Sequence, residues 1–283
     1  VQIVPAGNYE AVPDKFNVLY TMYEATSIPE SWQDKVAQAD LVVVPCTHNQ
    51  HLFKKYTTAP IEVCWEGVEI DKFKFYERKF PDQNPFTYLW FGASNERKGY
   101  KHMIAAWWLF QEKYPELKSK TRLIMKTTQN SDNQERIVGF ENGEPIYEKM
   151  AQERIFVAGN AIVDTRKLPV LADGKLPGLV DVYNSSHCFI FPTMGEGFGL
   201  TLAEAMSTGL PSIYTPWSGP KDFCSNKTGY PLKFHLAPTC AYSPRVDPAT
   251  QTVELKLEHE AMAATAHIEH IVRRMVQVYY DYD

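Results

Sequence analysis

The most informative stretch of this chain of 283 residues is FPTMGEGFGLTLAEAMSTGLP, residues 191–211. They combine the end of an apolar strand, a turn with glycine at alternate positions, and a helical segment. Gly195, Gly197 and Gly199 allow the backbone to approach a ligand closely and to adopt positive φ. The predicted helix, which begins near Leu200, directs its free N–H groups and positive dipole end toward this turn, and such an end attracts phosphate. The stretch therefore predicts a strand–turn–helix unit that binds a phosphorylated ligand.

Two carboxylates accompany these glycines. Glu196 lies in the turn, and Glu204 lies on the helix that follows it. A carboxylate accepts hydrogen bonds only, so it suits the hydroxyl groups of a sugar ring. The pair predicts contacts with two sugar rings that a diphosphate joins. Short glycine motifs also occur in plain turns, so a turn before a solvated helix is the alternative interpretation.

The rest of the chain alternates between strand and helix patterns. Continuous apolar runs such as DLVVVP (40–45) and FTYLWFG (86–92) are typical of strands that are buried on both faces. The alternation predicts an α/β fold with parallel sheets. Ligands bind outside the carboxyl ends of such strands, so the loops after Gly92, Lys126, Ala158 and Pro192 are expected to meet in one crevice. The predicted strands are 17–24, 40–45, 61–65, 86–92, 121–126, 154–158, 188–192 and 210–215, and the predicted helices are 29–39, 49–56, 100–114, 176–185, 199–208 and 258–280.

Composition excludes several classes of protein. The chain is 44% hydrophobic and 13% aromatic with a net charge of −5, so a folded protein without a nucleic-acid partner is expected. Its five cysteines are far apart in sequence and odd in number, which favours reduced thiols in a cytoplasmic protein. No apolar run reaches 18 residues, so no membrane span is expected. Neither a P-loop nor a GxSxG motif is present, so NTPase and α/β-hydrolase activities lack support.

A resemblance to a known family gives these patterns a function. Glu196-x7-Glu204 within GEGFGLTLAEAMSTGLP resembles the E-x7-E signature of retaining GT-B glycosyltransferases, especially family 4. Four further segments resemble that family: LVDVYNSSHCFIFPT (179–193), WSGPKDF (217–223), IEVCWEGVEIDKF (61–73) and FGASNERKG (91–99), the last resembling its phosphate loop. The resemblance implies two Rossmann-like domains and a retaining hexosyltransferase that uses a nucleotide-diphosphate sugar, linked to UDP or GDP.

The resemblance also implies roles for individual residues. Glu204 is expected to bind the ribose, Glu196 the donor sugar, and Arg97 and Lys98 the diphosphate, with Lys126 as a second candidate. The loop after Val157 is expected to contact the base. No divalent metal or other cofactor is implied, and the only Asp-x-Asp of the chain, Asp281 and Asp283, lies at its end. Backbone N–H groups in the turn and the first helical residues are expected to assist Glu196, namely those of Gly197, Phe198, Gly199, Leu200 and Thr201.

The domain organisation departs from the family. Residues 66–85 carry many charges and little periodicity, which is typical of a linker. We therefore predict a reduced N-terminal, acceptor-side domain over residues 1–76 and a donor-binding domain over residues 77–283. A glycan, a lipid or a protein remains possible as the acceptor. Two alternatives stay open: a non-catalytic module that binds a nucleotide sugar, and a GT-B-type nucleotide-sugar epimerase.

Overall fold

The computed structural model describes residues 1–78, 85–93, 95–128, 135–141, 144–149, 161–162, 178–246 and 253–282. The first part of the chain forms a four-stranded parallel sheet in the order β1-β2-β3-β4. Val42 and Val44 point into a core that includes Leu19, Val36 and Leu52, and all five side chains are buried. The elements are β1 (Gln2–Ile3), β2 (Val18–Tyr20), α1 (Glu30–Ala37), β3 (Leu41–Val44), α2 (Thr47–Phe53) and β4 (Ile61–Val63).

A second, larger sheet follows, and its described strands are all parallel. An antiparallel hairpin, β7–β8, interrupts it, and a second hairpin, β13–β14, precedes the final helix. The elements are β5 (Phe86–Ala93), α3 (Tyr100–Lys113), β6 (Thr121–Thr128), β7 (Glu135–Glu141), β8 (Glu144–Lys149), β9 (Ala161–Ile162), α4 (Leu179–Asn184), β10 (Cys188–Phe191), α5 (Leu200–Ser207), β11 (Ser212–Tyr214), β12 (Tyr230–Pro231), β13 (Phe234–Val246), β14 (Val253–Ala266) and α6 (Ile268–Tyr280).

The strand order of the larger sheet indicates where the ligand crevice lies. The six strands are arranged β9-β6-β5-β10-β11-β12. Numbered in chain order, this arrangement is 3-2-1-4-5-6, the order of the doubly wound nucleotide-binding fold. The order reverses between β5 and β10, and ligands of such sheets bind at that point, outside the carboxyl ends of the strands. The loop after β5 and the glycine-rich turn after β10 therefore border the crevice.

Helices cover both faces of the larger sheet. Trp90 packs on one face with Trp107 of α3 and Met275 of α6, whereas Leu89 faces the opposite core with Leu202 of α5. Neighbouring residues of one strand thus enter two different cores, which explains why FTYLWFG is apolar throughout. The predicted α/β fold with parallel sheets is confirmed. None of the helices in the described parts of the chain is both long and apolar enough to cross a membrane.

The prediction of one long helix over residues 258–280 was wrong. The helix begins only at Ile268, and the preceding residues form β14, which pairs with β13. Alanines at 261, 263 and 264 have high helix propensity, but the partner strand and tertiary packing override it. The alternation of apolar and charged residues in VELKL (253–257) was the period-two signal of a strand. The predicted strand 154–158 and the loop after Val157 lie outside the described residues.

The segment predicted as a linker is anchored to the larger sheet. The buried ring of Phe73 packs against Tyr183, with ring centroids 5.9 Å apart. The guanidinium of Arg78 donates hydrogen bonds to the main-chain oxygens of Ser186 and Thr208 at 2.9 and 2.7 Å. The residues between β4 and Arg78 thus include fixed contacts to the larger sheet. The division at residues 76 and 77 stays a prediction.

Candidate active site

The two loops at the switch point are joined through their backbones. Met194 N–H, in the turn after β10, donates to the carbonyl of Arg97, in the loop after β5, at 2.7 Å. Gly199 precedes α5 with φ of 103°, a conformation that residues with a Cβ rarely adopt. Its conformation redirects the chain from the turn into α5, whose first N–H groups lack partners within the helix. The turn and the helix start thus face the crevice together.

Three predicted site residues form one charged cluster. The Lys98 ammonium donates to both carboxylate oxygens of Glu196, at 2.9 Å to Oε1 and 2.8 Å to Oε2. Arg97 Nη1 lies 3.6 Å from Glu196 Oε2 and donates to the carbonyl of Gly195 at 2.9 Å. Glu196 is buried, so its charge is compensated by these two cations. The structure therefore brings Arg97, Lys98 and Glu196 together at the switch point.

Glu24 is a member of this cluster that the sequence analysis missed. It lies beyond the carboxyl end of β2 in the smaller sheet, and its Oε1 is 3.1 Å from Arg97 Nη1. Burial raises the pKa of Glu24, and the nearby Glu196 raises it further, while Arg97 opposes the shift. The position of Glu24 as the last residue of the predicted strand 17–24 was the available signal, because strand ends of both sheets face the crevice.

The smaller sheet closes directly onto the glycine-rich turn. A Cβ atom added at Gly195 would collide with the main-chain oxygen of Glu24, and one added at Gly197 would collide with the sulfur of Met22. These two glycines are therefore required by close approach of the neighbouring segment.

Asp222, in the loop after β11, also connects the larger sheet to the smaller one. Asp222 accepts hydrogen bonds from Thr47 N–H at 2.7 Å and from Thr47 Oγ1 at 2.5 Å. It also accepts one from the Trp65 indole at 3.1 Å. Thr47 begins α2 and Trp65 follows β4, so one side chain ties two elements of the smaller sheet to the loop after β11. We name these three residues the Asp222 clasp.

Glu204 occupies a separate position on α5. Its Oε2 accepts a hydrogen bond from the Tyr183 hydroxyl at 3.0 Å, and its side chain is mostly buried. Burial raises the pKa of this carboxyl, whereas the Tyr183 hydrogen bond and Lys72 lower it. Tyr183 was not predicted as a site residue, although its position on α4 fixes the orientation of Glu204.

The remaining predicted residues have other surroundings. Lys126 was predicted at the end of its strand, but β6 continues to Thr128, and the Lys126 ammonium lies 4.7 Å from the centroid of the Phe91 ring. The Phe198 ring is buried against Phe223, with centroids 5.0 Å apart, so this residue offers its backbone rather than its side chain. Leu200 and Thr201 form the first turn of α5, where Leu200 is exposed.

Known proteins resemble this chain in sequence and in structure. The sequence is 41% identical over 54 residues to a sucrose synthase from Denitrovibrio acetiphilus, a match that covers 19% of this chain and 7% of that protein. A sucrose-phosphate synthase from Thermosynechococcus elongatus has a similar structure, with a TM-score of 0.56 and 12% identity over 93% of this chain and 58% of the other. TarM has a TM-score of 0.50 and 13% identity over 76% of this chain and 40% of its own.

These structural likenesses support the GT-B arrangement of two parallel sheets. The chain spans little more than half the length of the sucrose-phosphate synthase that it resembles. The family model described as "Glycosyl transferases group 1" matches residues 85–239, which is more than half of the chain and includes the whole charged cluster except Glu24. The chain therefore belongs to the group 1 glycosyltransferases.

Proposed function

We propose that this protein transfers a hexose from a nucleotide-diphosphate sugar to an acceptor hydroxyl with retention of anomeric configuration. Family membership supports transfer from a nucleotide sugar. Retention, the residue roles and independence from metals rest on the E-x7-E spacing and on the arrangement of the charged cluster.

In this proposal four predicted residues bind different parts of the donor. Glu204, oriented by Tyr183, accepts hydrogen bonds from the ribose hydroxyls. Lys98 and Arg97 bind the diphosphate together with the backbone N–H groups at the start of α5. Glu196 then exchanges its ammonium partner for hydroxyls of the donor sugar. The Lys98–Glu196 ion pair holds both side chains at the switch point before the ligand arrives.

No side chain of the protein acts as a nucleophile in the proposed chemical step. The bond from the anomeric carbon to the diphosphate oxygen breaks, and its electron pair leaves with the diphosphate. The acceptor oxygen forms the new bond on the same face, and its proton passes to the departing diphosphate. Lys98, Arg97 and the positive end of α5 stabilise the charge that develops on the leaving group, which is an electrostatic contribution to rate. The chain itself thus supplies the charge compensation, and no step is assigned to a metal.

One observation carries the proposal: two cations and the Glu196 carboxylate meet at the crevice where the strand order reverses. Two alternatives use the same crevice, a nucleotide-sugar-binding module without activity and a nucleotide-sugar epimerase. Both predict nucleotide binding. Only the transferase releases a nucleoside diphosphate together with a glycosylated acceptor.

The test is a thermal-shift screen of the purified chain with UDP, GDP, ADP and their common sugars, with and without EDTA. A ligand of the folded state raises the melting temperature according to its concentration relative to its Kd. We expect a shift with one nucleotide that EDTA does not change. The Glu204→Gln variant should weaken this binding by at least about tenfold, since hydrogen bonds to charged groups contribute about 1.5–3 kcal/mol. No shift with any nucleotide would reject the donor site, and full affinity in Glu204→Gln would reject the ribose contact.

A further inference from the structure

A cavity of about 590 Å³ lies beside the charged cluster. Its volume is within the range of about 300–1,000 Å³ that is typical of small-molecule sites. The cavity is separate from Glu204 and Lys98, neither of which lines it. Its walls come from the segment after β2, the loops after β5 and β10, and the β13–β14 hairpin, and the lining residues include Tyr23, Glu24, Glu96, Arg97, Met194 and Thr239.

The hairpin forms a fixed wall of this cavity. Its strand β14 is bound on one side to the larger sheet, where Ala264 N–H donates to the carbonyl of Met194 at 2.9 Å. On the other side, Thr26 N–H donates to the carbonyl of Met262 at 3.1 Å, and the Ser27 hydroxyl donates to the carbonyl of Glu260 at 2.9 Å. The hairpin therefore bridges both sheets and covers an open side of the cleft.

The charges in the cavity select among ligands. Among the residues that the structure describes, its lining contains two carboxylates, Glu24 and Glu96, and one cation, Arg97. Arg97 is already in contact with Glu24 and Glu196, while Glu96 is bound by Lys101 at 2.6 Å on the surface. With Arg97 assigned to the donor diphosphate, Glu24 and Glu96 make the cavity lining net negative, which disfavours a second phosphorylated ligand. A carboxylate accepts hydrogen bonds and has more lone pairs than Arg97 occupies, so Glu24 suits a ligand with several hydroxyl donors.

On the basis of the proposed transferase function, we propose that this cavity binds the acceptor, that the acceptor is an uncharged sugar, and that Glu24 accepts hydrogen bonds from its hydroxyls. Arg97 borders both the cavity and Glu196, so a sugar in the cavity lies next to the diphosphate of the donor. The burial that raises the pKa of Glu24 is consistent with a carboxylate that gains partners when the ligand binds.

The experiment measures release of nucleoside diphosphate from the donor identified in the nucleotide screen. The acceptors are glucose and fructose, each compared with its 6-phosphate. The variants are Glu24→Gln, Thr239→Trp, which fills the cavity from the hairpin, and the control Glu30→Gln, a glutamate on the exposed side of α1 outside the cavity. Melting temperatures establish that each variant is folded.

We expect transfer to at least one uncharged sugar and little transfer to its 6-phosphate. Glu24→Gln and Thr239→Trp should each raise the acceptor KM about tenfold, and the donor KM by much less. Glu30→Gln should match the parent chain. Preference for a 6-phosphate, or an unchanged acceptor KM in both cavity variants, overturns this inference while leaving the donor site intact. Absence of nucleotide binding in the parent chain instead overturns the proposed function itself.

Discussion

At the scale of single residues, the charged cluster combines stability with function. Lys98 and Glu196 form an ion pair in which the carboxylate is 8% exposed and the ammonium side chain 20% exposed. Removing one partner of a buried pair leaves the other charge without compensation, and this costs more than removing both. Lys98 is therefore more than a loop cation, because it also compensates a buried carboxylate.

This coupling predicts the behaviour of a double-mutant cycle. Lys98→Ala should lower the free energy of unfolding by about 1–3 kcal/mol, less than for a fully buried pair because solvent reaches Lys98. Adding Glu196→Gln should restore part of that loss. Turnover should stay at least about 100-fold below the parent in both variants, as when an electrostatic stabiliser of the transition state is removed. The measurements are urea unfolding and donor turnover.

The outcomes of this cycle separate two roles. Because Glu196 is itself assigned to the donor sugar, turnover of the double variant is compared with that of Glu196→Gln alone. Recovered stability with turnover well below that of Glu196→Gln supports a catalytic contribution from Lys98. Recovered stability with turnover equal to that of Glu196→Gln would mean that Lys98 acts only by compensating Glu196.

At this scale, the sequence predicted those site residues that lie within short motifs. Arg97, Lys98 and Glu196 lie in short motifs, and their predicted convergence is seen in the structure. Glu24 was missed because its role depends on how the smaller sheet docks, and that docking joins residues 73 positions apart in sequence. Its partner is fixed by tertiary contacts that no local pattern encodes.

At the scale of elements, the turn into α5 rests on one backbone conformation. The nearest atom to a Cβ added at Gly199 would be Pro220 Cγ at 3.4 Å, an ordinary contact. Space is therefore available, and the penalty for a side chain arises from the positive φ alone. The left-handed region costs a residue with a Cβ about 1–2 kcal/mol.

Gly199→Ala should accordingly destabilise the chain by about 1–2 kcal/mol, measured by urea unfolding. The control is Gly67→Ala, since a Cβ at Gly67 has no neighbour within 4 Å and the residue is not among the glycines with positive φ. Gly67→Ala should be neutral or slightly stabilising because alanine reduces the entropy of the unfolded chain. Equal stability of the two variants would contradict the argument from φ.

The two antiparallel hairpins, β7–β8 and β13–β14, were not predicted from the sequence. Most strands and helices of the parallel sheets were predicted because they carry continuous apolar runs or a helical period. The strands β1, β9 and β12, of two residues each, were missed. The β13–β14 hairpin was missed because its alanines favour a helix and because its antiparallel pairing lies outside the two parallel sheets. Only the short alternation in VELKL pointed to a strand.

At the scale of the whole molecule, contacts among the described residues close the cleft at three places. The segment after β2 packs on the glycine-rich turn, the hairpin bridges both sheets, and the Asp222 clasp joins α2 and Trp65 to the larger sheet. Catalysis by transfer requires donor and acceptor to enter and leave, and such lids and domains commonly open on the microsecond to millisecond timescale. The clasp, which lies partly in solvent, is the contact best placed to be released.

Asp222→Ala should weaken this closure without unfolding either sheet. The variant removes three hydrogen bonds to a charged acceptor, each of which contributes about 1.5–3 kcal/mol at most and less where solvent competes. We expect the smaller sheet to unfold at a lower temperature than the larger one, which appears in calorimetry as a broader or divided transition. Asp34→Ala, at an exposed position of α1, serves as the control and should keep the parent profile.

Substrate binding gives the second readout of the same variant. An Asp222→Ala chain that opens more readily should retain the nucleotide affinity of the larger sheet but show a higher acceptor KM, because the acceptor cavity needs walls from both sheets. If the melting temperature falls uniformly and the acceptor KM is unchanged, Asp222 stabilises its own loop and does not hold the two sheets together. Weaker nucleotide binding would instead place the clasp next to the donor. The division between donor and acceptor effects therefore measures how far the two sheets act as separate halves of one active site.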